Sequence, residues 1–212
     1  MAAFDLQEQE QIEAIRSFWQ SWGRWIALAL TFVCLGYLGF QGWQMYQRKQ
    51  AAAAGEYYAQ IESHLERGQQ DKLAPLFQSL KQEYGSTAYA NRAALIEARL
   101  AFEAGQFAQA RGSLEWVIEH TKEDAIRDLA RWRLAAVLLD EKQFDRALAE
   151  LAKPHTDGFA GSFLDLKGDV LVAKGDIAAA RSAYRAALQK LEKSASPSRS
   201  LTEIKLDALG AE

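Results

Sequence analysis

From Trp25 to Gln47 the chain carries no charged residue, a run of 23 positions reading WIALALTFVCLGYLGFQGWQMYQ. As a helix rising about 1.5 Å per residue it would extend roughly 35 Å, enough to cross a hydrocarbon core of about 30 Å. Trp22 and Trp25 flank one end, Trp43 and Tyr46 the other. Aromatic rings favour the headgroup level, so both ends have the chemistry of an interface belt. A buried core helix rarely runs this far without charge, and a transmembrane span over 24–47 is the reading that follows. A cleaved leader fits less well. The preceding segment is acidic (Asp5, Glu8, Glu10, Glu13), and Arg48 and Lys49 separate the apolar run from the small residues Ala51–Ala54. Charge does not orient the span, because Arg16 and Arg24 precede it and Arg48 and Lys49 follow it.

Ala29, Gly36, Gly39 and Gly42 fall on one side of this helix. They form either a face for close packing against another membrane helix or merely the glycine that membrane helices commonly hold. Ahead of the span, Ile12, Ile15, Phe18, Trp19 and Trp22 recur at three- and four-residue spacing. Glu8, Glu10, Glu13 and Gln20 lie mostly off that stripe, so residues 1–23 read as an amphipathic helix suited to a membrane surface or a docking partner.

Residues 48–212 read differently. Prolines are confined to Pro75, Pro154 and Pro197, alanine is abundant, and no β-branched run alternates with period two. An all-α domain is expected. Three segments, 94–117, 131–154 and 164–187, align as helix, turn, helix. Ala98, Ala135 and Gly168 share one place in the first helix; Ala110, Ala147 and Ala180 share one in the second. Their spacing is close to the 34-residue period of tetratricopeptide (TPR) repeats, and small residues at these places let two helices approach. Gly105 and Gly175 occupy the turn, where a left-handed residue can end a helix, while the second repeat departs with Lys142. Leu114, Leu151 and Tyr184 are expected to fill space between hairpins. Repeats are therefore placed at about 91–120, 128–154 and 161–193. A degenerate unit over 51–84 precedes them, with Tyr57, Tyr58, Ile61 and Leu65 in its first helix, Gly68 as its turn, and Leu73 and Phe77 in its second. SASPSRS (194–200) reads as a loop. Leu201, Ile204, Leu206 and Leu209 suggest a capping helix over 201–209.

Little in the chain points to catalysis, and no cofactor is implied. His64, His120 and His155 fall in different repeats without a partner at metal-ligand spacing. The lone Cys34 lies within the apolar run, and no glycine-rich phosphate loop occurs. Glu123–Asp124 and Asp140–Glu141 are most simply solvated helix ends. A net charge of −3 without a basic stripe argues against nucleic acid. Protein binding is left as the use of a helical-hairpin stack. Its first-helix face would offer Tyr58, Glu62 and Leu65, then Arg92, Leu95, Arg99 and Phe102, then Trp132, Ala136 and Leu139, then Asp165, Asp169 and Val172. Arg99, Phe102 and Trp132 are of the types that dominate binding energy. Phe102 and Trp132 would serve equally as core residues of a helix interface. The Lys- and Asn-based clamp for acidic C-terminal peptides is absent at these positions.

The order of parts carries a further resemblance. EQEQIEAIRSFWQSWGRW leads into one membrane helix, and a small TPR-like domain ends in GDVLVAKGDIAAARSAYRAAL and a short helix, IKLDAL. This arrangement resembles the YfgM family, ancillary subunits of the SecYEG translocon in Gram-negative bacteria. The resemblance implies an inner-membrane protein with a cytoplasmic N-terminus and a periplasmic domain over 48–212. It further implies association with SecYEG and a PpiD-like membrane chaperone, and a role in passing unfolded secretory clients to periplasmic chaperones. It supplies no catalytic or ligand residue. An envelope or division-complex scaffold without a translocation role, and the inverted topology, are the alternatives.

Overall fold

The computed structural model describes residues 2–191 and 198–210, with side chains from position 16 onward. Among the described residues every regular element is helical. The chain divides into two compact units, Met1–Gln50 and Ala51–Glu212. Helix α1 (Ala2–Glu66) supplies the whole first unit and, with residues 51–66, the start of the second.

In the first unit the large apolar side chains from Phe18 to Tyr46, half-buried Ile26 apart, are exposed, with Phe32 at 73% and Leu38 at 64%. A core helix of a soluble protein would bury such residues. By length and composition this helix is apolar enough to cross a membrane. Two polar side chains within the apolar run bond back along the helix. The Thr31 hydroxyl donates to the Ala27 carbonyl at 2.8 Å, and the Gln41 amide donates to the Tyr37 hydroxyl at 2.8 Å. That is what lipid, which offers no hydrogen bonds, demands. Ile12 and Ile15 of the amphipathic stripe lie outside the described side chains, whereas Phe18, Trp19 and Trp22 are exposed.

The second unit is a stack of helical hairpins. Residues 51–66 of α1 pair with α2 (Leu73–Glu83), and α3 (Ala88–Glu103) pairs with α4 (Phe107–His120). Next come α5 (Asp124–Asp140) with α6 (Phe144–Leu151), then α7 (Asp157–Lys174) with α8 (Ile177–Leu191). Helix α9 (Ser198–Ala208) packs on α8. Of the loop expected over 194–200, positions 194–197 lie outside the described residues, and Ser198 to Ser200 already belong to α9.

The shared small positions are where helices meet. Ala110, Ala135, Ala147 and Ala180 are fully buried and Ala98 nearly so. At Gly168 a Cβ would come within 2.3 Å of the Tyr184 ring, so nothing larger fits without movement. Leu114 and Leu151 are buried in the core that successive hairpins share, whereas Tyr184 is buried within its own hairpin against Gly168 and beneath α9; Leu73 and Phe77 are buried in the first hairpin. A polar tie also crosses the stack. Lys81 of α2 pairs with Glu97 of α3, and the Ser113 hydroxyl of α4 donates to Glu97 at 2.8 Å.

All four hairpin turns share one hydrogen-bond scheme. The amides of Gln69, Gln106, Gln143 and Asp176 reach back five residues to the carbonyls of His64, Ala101, Leu138 and Leu171. The preceding amides, of Gly68, Gly105, Lys142 and Gly175, reach back three. This double closure satisfies the last carbonyls of each first helix and requires a left-handed residue at the turn. Lys142, a departure in sequence, is none in structure: its φ is +58°, beside +69° to +91° for the three glycines. A side chain in that region costs about 1–2 kcal/mol, which the two turn bonds and the hairpin packing outweigh.

Two sequence expectations change here. Glu141 is not a solvated helix end: its carboxylate pairs with Arg111 of α4, and only 18% of its side chain is exposed. Leu201 and Ile204 do not cap the stack; both are exposed, and α9 turns Leu206 and Leu209 onto Leu171, Ala180 and Tyr184 instead. Buried Thr202 and half-buried Lys205 share that inner face, because positions three, four and seven apart line one side of a helix.

Candidate functional site

The first helices of neighbouring hairpins lie side by side, α3 next to α5 and α5 next to α7. Between α3 and α5 opens a cleft of about 220 Å³. Ala98, Arg99 and Phe102 of α3 form one wall, and Arg133, Ala136 and Val137 of α5 the other, with Leu114 of α4 reaching in between. Phe102 is 37% exposed, its ring braced against Phe107 at 5.7 Å between centroids. Arg99 is open to solvent and pairs with Glu103 at 3.6 Å. Arg133 is half-buried. Burial first, and the Arg99 charge second, push its guanidinium below the usual arginine range.

The structure thus brings Arg99, Phe102 and Ala136 together and distributes the other expected residues elsewhere. Leu95 is 7% exposed and belongs to the core rather than to a groove. Leu139 is half-buried against the same core. Trp132 is half-buried there too, and its indole N–H donates to the Ser162 carbonyl of α7 at 3.1 Å, which makes it a tie between hairpins. Tyr58 stacks near Tyr89 at 5.5 Å, away from the cleft residues. Burial and then Glu62 raise its pKa, with Arg92 opposing. Leu65 packs in the first hairpin and Val172 against the last one. Ala29, Gly36, Gly39 and Gly42 are exposed, and beyond the helix's own nearby backbone nothing described lies within 4 Å of where a Cβ would stand on the three glycines.

Asp165 and Asp169 are covered by the chain itself. Lys205 of α9 donates to both carboxylates at 2.7 Å, the Thr202 hydroxyl donates to Asp165 at 2.8 Å, and the Tyr184 hydroxyl to Asp169 at 2.7 Å. Burial alone would lower the Lys205 pKa, but the two aspartates outweigh it and the net shift is upward. Tyr184 is raised by burial and by its bond to Asp169. The third repeat therefore presents α9, not a free acidic face.

Sequence reasoning passed over Arg133. Its signal was available, since it lies three residues before Ala136 and so on the same side of α5. A larger cleft of about 570 Å³, at the start of α5, is lined by polar groups that mostly bond to nearby backbone or to one another, Arg131 Nε being the exception. Asp128 accepts from the Thr156 amide and hydroxyl, Arg131 donates to the Pro154 carbonyl, and Arg127 to that of Thr121. His64, His120 and His155 each bond locally, to Gln69, Trp116 and Lys153, and no cluster of metal-ligand type occurs among the described residues.

Comparison with known proteins agrees with this architecture. A family model described as a tetratricopeptide repeat-like domain matches residues 16–211. A protein of Neisseria gonorrhoeae named ancillary SecYEG translocon subunit is 34% identical over 211 residues, covering 98% of this chain and 99% of its own. Proteins of the same name from Haemophilus influenzae and Escherichia coli are 28% and 27% identical, covering 88% and 86% of this chain and 91% and 87% of theirs. The match runs through the apolar helix as well as the repeats, and the chain belongs to the TPR-like family of ancillary SecYEG translocon subunits, the YfgM family.

Proposed function

We propose that this chain is a non-catalytic interaction subunit of the SecYEG translocon, held in the inner membrane by the span over 24–47. Its N-terminus is cytoplasmic, and residues 48–212 stand in the periplasm, where they hand emerging clients to chaperones, a PpiD-like membrane chaperone among them. The observation that carries this reading is the end-to-end similarity to a translocon subunit, 99% of whose length is matched. The exposed apolar helix and the open cleft beside Phe102 are consistent with it.

The physical logic is one of effective concentration. Unfolded chains expose apolar side chains in no fixed sequence, so their receptor must bind weakly and broadly. An anchor near the channel exit raises the local concentration of such a receptor enough for weak contacts to count.

Purifying the intact protein in mild detergent and identifying its companions tests the reading. SecY and SecE should co-purify and should cross-link to the span. Protease added outside intact spheroplasts should digest residues 48–212. Phe102→Ala should reduce cross-links to clients or chaperone and leave SecYEG co-purification intact. Recovery of division or envelope-assembly proteins without SecY would favour the scaffold reading instead.

A further inference from the structure

The cleft between α3 and α5 is lined by two guanidiniums, those of Arg99 and Arg133, and by no carboxylate. Glu103 pairs with Arg99 at 3.6 Å, but both side chains are about 60% exposed, and a pair of that kind is readily exchanged. Arg133 forms no ion pair among the described residues. It is half-buried between apolar walls, and the charge that acts on it is another cation, Arg99. A desolvated cation beside a like charge is poorly placed unless something negative arrives. Arginine is also the side chain best suited to receive a carboxylate, through paired N–H donors. The volume narrows the ligand further. About 220 Å³ is below the range of roughly 300–1,000 Å³ usual for small-molecule sites and suits a single side chain.

We infer that this cleft recognises a peptide segment in which an aspartate or glutamate neighbours a large apolar residue. The apolar side chain enters between Phe102, Leu114 and Val137, and the carboxylate bridges Arg99 and Arg133. A lysine or arginine in place of the acid would meet two like charges and be rejected. The inference rests on the proposed client-binding role of the cleft and adds a selectivity to it: apolar segments flanked by acid over those flanked by base.

The test uses the intact protein in detergent micelles and fluorescence anisotropy. The probe is a twelve-residue peptide, capped at both ends, with a central phenylalanine-leucine-aspartate. Its counterparts carry asparagine or lysine in place of the aspartate, and a fourth carries asparagine with an uncapped C-terminus. The aspartate peptide should bind about tenfold more tightly than the asparagine peptide, as expected of a hydrogen bond to a charged group. Raising the salt should erode that preference. Arg99→Gln and Arg133→Gln should each reduce that preference and together abolish it, bringing the aspartate and asparagine peptides to equal affinity. Phe102→Ala should weaken both peptides alike. Arg133→Lys, which keeps the charge, preserves part of the preference and stands in should Arg133→Gln melt early by circular dichroism. Equal binding of aspartate and asparagine peptides, both weakened by Phe102→Ala, overturns the acidic selectivity and leaves the binding role intact. Binding that Phe102→Ala does not touch, or no saturable binding at all, overturns the role of the cleft as well. A preference confined to the uncapped peptide would refute side-chain recognition in favour of a chain terminus.

Discussion

Replacing Gly168 with alanine adds one methyl group where α7 and α8 approach closely in the last hairpin. Its Cβ would stand 2.3, 2.5 and 2.7 Å from three atoms of the Tyr184 ring. The ring cannot readily step aside. It is 2% exposed, its hydroxyl is bonded to Asp169 at 2.7 Å, and the Lys205 ammonium stands 5.9 Å from its centroid. Overpacking of this sort costs about 1–3 kcal/mol. Against it stands the gain of about 1 kcal/mol from putting alanine for glycine inside a helix. Gly112 separates the two terms, because it lies within α4, is exposed, and has open space where a Cβ would stand. Gly112→Ala should therefore stabilise by about 0.5–1 kcal/mol, whereas Gly168→Ala should be neutral to destabilising by about 2 kcal/mol. Thermal unfolding of a fragment spanning 51–212, followed by far-ultraviolet circular dichroism, reads the contrast at about 2–4 °C per kcal/mol. Tyr184→Leu in the Gly168→Ala background should recover part of the loss, which makes the coupling between the two sites explicit. If both glycine variants raise the melting temperature equally, the helix crossing is not where the structure puts it.

Other consequences are as open to measurement. Leu35→Arg, near the middle of the apolar run, should cost about 3 kcal/mol of insertion and make the protein extractable by carbonate; release of the unaltered chain by carbonate would refute a spanning helix. Ala180→Leu, at a fully buried crossing, should lower the melting temperature by the equivalent of about 1–3 kcal/mol, and Ala178→Leu, on the exposed face, should change it little. Lys205 and Tyr184 both have pKa values raised by folding, so their contribution to stability is complete below the unfolded values and lost as pH rises. From the ordinary values of 10.0 for tyrosine and 10.5 for lysine, the decline should begin near pH 10 and continue above it. Amide exchange in α9 should accelerate over that window, and Lys205→Met should flatten the part of the dependence due to lysine.

Much of the molecule is legible in the order of its residues, because the relevant physics is local. A charge-free run needs no partner to be too apolar for water. Alanine or glycine returning every 33 to 37 positions marks helix crossings, since only small side chains let backbones approach. What escapes is set by contacts between distant residues. Lys142 takes a left-handed turn that its side chain disfavours, because the hydrogen bonds closing α5 onto α6 impose it. Trp132, of a type suited to a binding anchor, is drawn into the core by a carbonyl 30 residues away. Arg133 becomes a cleft residue only once α3 lies beside α5. Asp165 and Asp169, expected on the open binding face, are covered by Lys205 and Thr202, 36 to 40 residues further along the chain. Periodicity tells a helix which side to bury; it does not say which later helix will cover what remains, and that choice rests on charge and shape matched in three dimensions.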